Sequence, residues 1–264
     1  MSFIIVNYNT PKLTQDCVES ITRQREAPAY EIIVVDNASP DKSGNMLRTT
    51  LKKTATVIQA QRNLGFGAAN NLGAQSARGR YLFLVNSDTI LPPNCLWEMV
   101  ELADKNPQYG LLSPRVVLPG RQRETQSGSF GRRATIGRLI GRRNDLPARY
   151  LNNFDEIAPC DWVTGAAMLI AVDAFWSVGG FDSRYFMYWE DQDLCTSLKK
   201  AGWQIGVVPD TYITHLGGRS VKLKKDRYKL YDQSQRTYIL KHQGLTALIL
   251  FLLIAWPWKL WRSH

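Results

Sequence analysis

Cysteine is scarce in this sequence, and its spacing excludes the sites that depend on it. The four cysteines are Cys17, Cys95, Cys160 and Cys195. No two of them form a CxxC pair, which argues against a cysteine-ligated zinc site and against a disulfide framework. We therefore expect the protein to work in a reducing, cytosolic setting.

A hydrophobic run long enough to cross a membrane is also lacking. The apolar stretch from Leu245 to Trp256 has twelve uncharged residues. As a helix it would span about 18 Å, whereas the hydrocarbon core of a bilayer is about 30 Å thick. Nearby tryptophans with flanking Lys and Arg predict instead an amphipathic helix that lies in the membrane interface. At the other end of the chain, FIIV begins a strand without a basic leader, so we expect no secretory signal.

Acidic residues are outnumbered, and the positive charge is unevenly distributed. The net charge is +10, and residues 150–215 carry −6 between two basic regions, 121–149 at +6 and 216–264 at +8. Such regions are typical of surfaces that bind anionic lipid headgroups, at about 1 kcal/mol per charge. For the first region, a solvated flexible loop is an equally good interpretation. The basic residues that stand out in the two regions are Arg121, Arg123, Arg132, Arg133, Arg138, Arg142, Arg143, Lys222, Lys224, Lys225 and Lys229.

The first hundred residues alternate strand and helix patterns. The β-rich runs are Phe3–Val6, Glu31–Val35, Thr56–Ala60 and Tyr81–Val85. Each is followed by a stretch with helical spacing, which predicts βαβ units and a mainly parallel sheet flanked by helices. Ligands of such sheets bind beyond the carboxyl ends of the strands.

Polar side chains follow all four predicted strands. They include Asn7, Asp36, Asn63, Asn86 and Asp88. Turn chemistry alone favours Asn and Asp in such loops, but four polar loops at one sheet edge predict a binding site. Asp88 can join diphosphate oxygens in holding Mg²⁺ or Mn²⁺. A turn residue before Pro92 is an equally good interpretation of Asp88 taken alone.

A glycine-rich stretch, NLGFGAANNLGAQSARG at 63–79, follows the third strand and begins a helix. Its glycines allow the backbone to approach a ligand closely, and the N–H groups at the helix start are available to an anion. The spacing is not the GxGxxG of dinucleotide-binding sites, so the stretch predicts an anion-binding turn and no more.

The second half of the sequence is less regular. Over 121–149 the periodicity fails, and Arg, Gly and Pro predict a mobile or irregular segment. Ordered structure is predicted again at Trp162–Ile170, with a helix at Asp191–Lys200, a strand at Gln204–Val208 and an amphipathic helix at Asp226–His242.

Three carboxylates crowd into YWEDQDLC at the start of one of these helices. They are Glu190, Asp191 and Asp193. The helix dipole favours an acid in the first turn by about 0.3–1 kcal/mol. Capping therefore explains one or two of the three, and the crowding indicates a candidate catalytic position.

Taken together, six segments resemble the family 2 glycosyltransferases, most closely the bacterial rhamnosyltransferase-like branch that builds envelope polysaccharides. In order, they are IIVNYNTPKLTQDCVESI, EIIVVDNASPDKSG, RNLGFGAANNLGAQSARGRYLFLVNSD, GAAMLI, GGFDSRYFMYWEDQDLCTSLKKAGW and HLGGRS. The resemblance implies a GT-A fold, a Rossmann-like α/β domain over 1–240. Its nucleotide-sugar half would be 1–118 and its acceptor half 119–225, with a membrane-associating tail at 241–264.

The resemblance also implies roles at the donor site. Asp36 would contact the base or ribose. Asp88 matches the last acid of the family's DxD motif, and Asn86 stands where the family has the first acid. His215 matches the family's HxxGxS and would help Asp88 to hold the metal, a mixed ligand set that Mn²⁺ tolerates better than Mg²⁺. The residues implied for the nucleotide-sugar site are Asn7, Asp36, Asn63, Gly65, Asn70, Asn86 and Asp88.

For catalysis, the resemblance implies that Asp191 takes the proton of the acceptor hydroxyl as general base. Glu190 would orient the acceptor or the base, whereas Asp193 would serve the fold. Tyr188 and Trp189 would offer an aromatic wall to an acceptor sugar. The reaction would be a single in-line displacement that inverts the anomeric carbon.

These features predict a membrane-associated inverting glycosyltransferase, peripheral on the cytoplasmic face of the plasma membrane. The donor would be a nucleotide sugar, dTDP-rhamnose by resemblance, and the acceptor lipid-linked or a glycan. A sugar-nucleotide nucleotidyltransferase stays open, although NYNTPK is not the glycine-rich basic loop which that class needs. A non-enzymatic anionic-surface-binding protein is suggested by the pI of about 9.5. The cations avoid the strand ends and no nucleic-acid motif occurs, so we expect no nucleic-acid partner.

Overall fold

The computed structural model describes residues 1–122, 124–141, 144–217 and 224–262, with only the backbone described at 141, 224–226 and 255–262. Some residues singled out in the sequence lie outside the described residues. They are Arg123, Arg142, Arg143, Lys222 and the 218–220 part of HLGGRS.

The N-terminal half forms the predicted alternation of strands and helices. Its elements are β1 (Ser2–Asn7), α1 (Pro11–Thr22), β2 (Glu31–Asp36), α2 (Ser43–Thr50), β3 (Thr56–Gln59), α3 (Phe66–Ala74), β4 (Tyr81–Asn86), β5 (Thr89–Ile90) and α4 (Cys95–Lys105). Strands β3, β2, β1 and β4 lie side by side in that order, all parallel. Their carboxyl ends therefore meet at one edge, where Asn7 is in register with Asp36 and Val6 with Asn86.

The second half extends the same sheet with strands of both directions. Its elements are β6 (Tyr109–Val117), β7 (Phe130–Gly131), α5 (Ile136–Gly141), a 3₁₀ helix (Ala148–Asn153), β8 (Ala158–Cys160), β9 (Trp162–Val163), β10 (Ala167–Ala171), α6 (Val172–Ser177), α7 (Glu190–Lys200), β11 (Gln204–His215), α8 (Lys224–Gln243) and α9 (Leu245–Arg262). Strand β10 lies antiparallel between β4 and β6, and β6 pairs in parallel with β11. In the described part of the chain nine strands form this sheet, while β7 and β9 form a separate ribbon. The fold is the predicted mixed, mainly parallel α/β sheet.

Alternating side chains of the central strands fill two cores. Phe3 and Ile5 point to the face covered by α1 and α4, while Ile4 and Leu84 point to the face covered by α6 and α7. Because helices cover both faces, these strands are apolar at nearly every position. The four cysteines are free thiols, all buried.

Strand β11 is longer than the predicted strand, which ended at Val208. Pro209 and Asp210 interrupt the apolar pattern there, and the structure accommodates them with a register shift against β6. Pairing then resumes, and His215 lies opposite Thr89 of β5. This continuation carries His215 to the sheet edge where β4 ends.

Two other predicted segments differ in detail. The segment 121–149, predicted to be irregular, contains the short elements β7 and α5. The predicted run Trp162–Ile170 is divided into β9 and β10, because the backbone between them bonds elsewhere. The Thr164 N–H donates to the Ser129 carbonyl, and the Gly165 N–H donates to a side chain of α7.

Helices α8 and α9 pack against the start of α7 and form a third core. Tyr185 and Trp189 meet Tyr238 of α8 and Phe251 of α9 there. The Gln243 side-chain oxygen accepts a hydrogen bond from the first N–H of α5, which ties α5 to the end of α8. None of the described helices combines the length and the apolar character that spanning a bilayer requires.

Candidate active site

A deep cleft opens at the carboxyl ends of the parallel strands. Its volume is about 1660 Å³, whereas ordinary small-molecule sites have about 300–1,000 Å³. The end of β4 and the loops after β2 and β3 form one wall. The start of α7, together with α5, α8 and α9, forms the other. The cleft therefore has room for two substrates side by side.

Hydrogen bonds centred on Asn37 hold the loop after β3. The Asn37 amide donates to the Asn63 side-chain oxygen at 2.9 Å, and its own oxygen accepts the Leu64 N–H at 2.8 Å. Gly65 has φ +82°, and a Cβ there would lie 2.2 Å from the Phe186 carbonyl oxygen, so glycine is required. Asn37, Asn63 and Gly65 line the cleft. Asn37 was not among the residues predicted for the site, although it lies directly after a strand, where ligands of such sheets bind.

Three residues predicted for the donor site lie beneath this wall and do not line the cleft. Asn7, Asp36 and Asn70 are at most 3% exposed. The Asp36 carboxylate accepts the Asn7 amide at 2.7 Å and the Ser39 hydroxyl at 2.6 Å. The Asn70 amide donates to the Phe66 carbonyl at 3.0 Å. In this geometry they hold the loops in place and present no atoms to the cleft.

The ends of β4 and β11 bring together a carboxylate, an amide and an imidazole. His215 Nε2 lies 3.2 Å from Asp88 Oδ1 and 3.3 Å from Asn86 Nδ2. Gln126 Oε1 lies 3.4 Å from the other ring nitrogen of His215. Asn86 and Asp88 line the cleft.

This donor set fits a divalent ion whose remaining ligands come from phosphate and water. An oxygen and a nitrogen as close as those of Asp88 and His215 can be neighbouring ligands of one such ion. Over the ranges that the structure describes, no three His, Cys, Asp or Glu side chains gather into a complete metal cage.

Glu190 and Asp191 begin α7 and line the cleft from its second wall. Asp191 Oδ1 accepts the Gln192 N–H at 2.7 Å, and Oδ2 accepts the Gly165 N–H at 3.2 Å. These two donors favour the ionised carboxylate. Glu190 is 7% exposed, and its Oε2 has no hydrogen-bond partner.

Burial separates the two carboxyls in protonation. It raises the pKa of Glu190 to about 8, and the negative charge of Asp191 adds to the shift. Burial also raises the pKa of Asp191, but the N–H groups of Gln192 and Gly165 oppose that shift. Near neutral pH Glu190 therefore keeps its proton, whereas hydrogen bonds from two backbone N–H groups favour the ionised form at Asp191.

The two aromatic residues before α7 adopt left-handed backbone conformations. Tyr188 has φ +68° and Trp189 φ +69°, which costs about 1–3 kcal/mol each and must be imposed by packing. Trp189 is 3% exposed and packs on Tyr238, while the Tyr188 hydroxyl accepts the Arg227 Nε–H at 3.2 Å. Both residues line the cleft, but Trp189 presents little of its ring. This turn leads directly into the two carboxyls at the start of α7.

Asp193 lies on the other side of α7, in a buried charge network. Its Oδ1 accepts the Tyr185 hydroxyl at 3.0 Å and His242 Nε2–H at 2.7 Å, and its Oδ2 accepts the Lys241 ammonium at 2.8 Å. The Asp193 side chain is 2% exposed. Asp193 thus ties α7 to α8 and does not line the cleft.

A family model described as "Glycosyl transferase family 2" matches residues 2–172. The N-acetylglucosaminyl-diphospho-decaprenol L-rhamnosyltransferase of Mycobacterium tuberculosis is 27% identical over 80% of this chain and 74% of that protein. The O-antigen biosynthesis protein RfbC of Myxococcus xanthus is 24% identical over 81% of this chain and 17% of that protein.

Solved structures match the fold at lower identity. A fragment of S. aureus TarS in complex with UDP has a TM-score of 0.58 and 18% identity, covering 95% of this chain and 70% of that one. GalNAc-T7 with UDP, GalNAc and Mn²⁺ has a TM-score of 0.67 and 15% identity, covering 90% of this chain and 49% of that one. At these identities the likeness shows a shared fold.

Proposed function

The chain belongs to glycosyl transferase family 2, in its rhamnosyltransferase-like branch and with the GT-A architecture, and we propose that it transfers a sugar with inversion of configuration. The sugar would pass from a nucleoside-diphosphate donor to a hydroxyl of the acceptor. One observation carries the proposal. Asp88 and Asp191, far apart in the sequence, line one cleft with room for both substrates.

The donor diphosphate would lie at the ends of β4 and β11. Asp88 and His215 would hold Mg²⁺ or Mn²⁺ there, and the ion supplies positive charge that offsets the charge developing on the leaving diphosphate. Asn86, which stands where the family has the first acid of its DxD motif, would contribute a neutral amide to this site. Asn63 and Gly65 would line the nucleotide-sugar site.

Asp191 would act as the general base. The acceptor oxygen attacks the anomeric carbon while the bond from that carbon to the diphosphate oxygen breaks, and Asp191 takes the hydroxyl proton. Two backbone N–H groups hold the Asp191 carboxylate in place during this transfer. Glu190, protonated and without a partner at Oε2, would donate a hydrogen bond that orients a substrate oxygen. Tyr188 and Trp189 would flank the acceptor.

The relatives support the choice of substrates. The mycobacterial relative is named for rhamnose transfer to a diphospho-decaprenol acceptor, and a TarS structure contains UDP-GlcNAc. We propose dTDP-rhamnose as donor and a lipid-linked or glycan acceptor in cell-envelope polysaccharide synthesis.

The proposed location is the cytoplasmic face of the plasma membrane, where the protein would be peripheral. The domain at 1–240 would carry the chemistry. The tail at 241–264 and the basic segments would contact the surface. Exposed apolar side chains on α9 support this placement.

A donor screen tests the proposed function. The full chain is incubated with Mg²⁺ or Mn²⁺, a panel of nucleotide sugars and a panel of lipid-diphosphate acceptors. We expect nucleoside diphosphate to be released at a high rate only when ion, donor and acceptor are all present, with a sugar-bearing product seen by mass spectrometry. The proposal is overturned if no nucleotide sugar binds or reacts.

A further inference from the structure

One part of the cleft lining is apolar, and we call it the apolar end: Leu139 and Ile140 of α5 with Phe251 and Ile254 of α9, two helices that pack together. The first two belong to α5 and the last two to α9, and they line the same cavity as the carboxyls. Among the side chains that the structure describes, those that α5 and α9 contribute to this lining are all apolar. Nucleotides and sugars are polar over most of their surface, so neither substrate head matches a wall of this kind.

Helix α9 has apolar side chains on two faces. Phe251 is 6% exposed and packs in the third core, and Ile254 faces the cleft. On the outer face, four large aliphatic side chains are each about half exposed or more. They are Leu245, Ile249, Leu250 and Leu253. A contiguous apolar row of this kind indicates contact with lipid or protein, and it lies on the helix that carries Phe251 and Ile254 of the apolar end.

Two cations line the cleft beside the apolar end. Arg227 and Lys229, both exposed on α8, contribute to the lining. Arg227 donates to the hydroxyl of Tyr188, which places it beside the turn that leads into Glu190. Arg and Lys side chains are the usual partners of phosphate oxygens.

We infer that the apolar end binds the aliphatic chain of a lipid-diphosphate acceptor, whose phosphates meet Arg227 and Lys229. An aliphatic wall, two cations and the Asp191 carboxylate line this one cavity, and they match in kind the lipid, the diphosphate and the sugar of such a molecule. The inference rests on the proposed function, and it selects a lipid-linked acceptor over a free glycan. The aliphatic chain of the lipid would enter the cleft from the outer face of α9, which would lie against the bilayer.

A chain-length series tests this without any variant. Inorganic pyrophosphate, geranyl diphosphate and farnesyl diphosphate are titrated into the full chain by calorimetry, in EDTA so that no metal recruits their phosphates to the donor site. Each buried CH₂ group favours binding, so we expect farnesyl diphosphate to bind at least tenfold tighter than geranyl diphosphate, and pyrophosphate weakest. Equal affinities for the three probes overturn the inference.

A matched pair of variants on α9 tests where the aliphatic chain of the lipid binds. Ile254→Asn should weaken farnesyl diphosphate binding at least fivefold and leave pyrophosphate binding unchanged. Leu253→Asn makes the same change on the outer face of the same helix and should alter neither. Equal weakening by both variants places the chain outside the cleft and overturns the inference. If Ile254→Asn does not fold, Ile140→Asn on α5 makes the same test.

The result can be separated from that of the donor screen. Sugar transfer to a lipid-free acceptor, with no chain-length dependence of binding, leaves the proposed function intact and overturns the lipid site. Tight farnesyl diphosphate binding that only Ile254→Asn disturbs, in a chain that reacts with no nucleotide sugar, supports the lipid site and overturns the proposed function.

Discussion

The wall formed by the ends of β1 to β4 and the wall formed by the start of α7 treat buried carboxyls differently. Beneath the first wall, Asp36 accepts hydrogen bonds from the Asn7 amide and from both the hydroxyl and the N–H of Ser39. On the second, Glu190 is buried with an unpartnered Oε2, and its pKa is raised to about 8. The comparison teaches that one buried carboxyl fastens loops together through its hydrogen bonds, whereas the other keeps an oxygen without a partner. Asp36 thus holds the loops of the first wall, and we propose that Glu190 and Asp191 on the second wall handle the acceptor proton.

Replacing the proposed base should have the largest effect, and that effect should fall on turnover and not on donor binding. Asp191→Asn removes the proton acceptor, so we expect kcat to fall about 10²–10⁴-fold, while donor affinity stays within about twofold because the first wall is untouched. Nucleoside diphosphate release and donor calorimetry measure the two effects. Asp173→Asn, the same change at an exposed site on α6, is the control. Wild-type turnover in Asp191→Asn would refute the assignment of the base.

A change on the other side of the same helix should affect stability. Asp193→Asn removes the buried partner of Lys241 and His242, so we expect the free energy of unfolding to fall by about 3 kcal/mol. Urea denaturation measures this loss, and Asp191→Asn, at a partly exposed position, should change stability much less. Equal stability of the two variants would contradict the separation of roles along α7.

The raised pKa of Glu190 predicts a pH dependence of stability. The folded state keeps the Glu190 proton to about pH 8, whereas the unfolded chain releases it near its ordinary value of 4.5. This contribution to stability is complete below about pH 4.5 and is lost as the pH rises through about 8. Between pH 6 and pH 9 the wild type should therefore lose about 2–3 kcal/mol relative to Glu190→Gln. Urea denaturation at both pH values measures this change. If the difference in unfolding free energy between the wild type and Glu190→Gln is the same at pH 6 and pH 9, Glu190 does not hold its proton in the folded state.

The smallest predicted effect concerns donor binding on the first wall. Asp88→Ala should weaken binding of the nucleotide sugar at least tenfold, about 1.4 kcal/mol, when Mn²⁺ is present, and should have little effect in EDTA. Asp210→Ala, at an exposed position of β11, should change neither value. An equal loss with and without Mn²⁺ would mean that Asp88 acts on the donor without a metal.

Much of the fold follows from local sequence. The four N-terminal strands agree with their predicted ranges to within about a residue at each end, because apolar runs bounded by polar turns fix both ends. The antiparallel position of β10 between β4 and β6 was not predictable, since it depends on long-range pairing. The extension of β11 past Pro209 and Asp210 was missed because pairing with β6 outweighs the interrupted pattern.

The candidate site was predictable in its residue types more than in its geometry. Asn86, Asp88, Glu190 and Asp191 all line the cleft, as expected of polar residues at strand ends and at a helix start. Burial of Asp36 and the lack of a partner at Glu190 could not be read from spacing, because both depend on neighbours distant in the sequence.

The central claim is that Asp191 takes the acceptor proton while the donor diphosphate, held at Asp88 and His215, departs in one displacement. The anomeric configuration of the product, read by NMR for the donor that the screen identifies, tests this most directly. A single displacement predicts a product inverted relative to the donor. Retention of the donor configuration would require a second displacement and would contradict this mechanism.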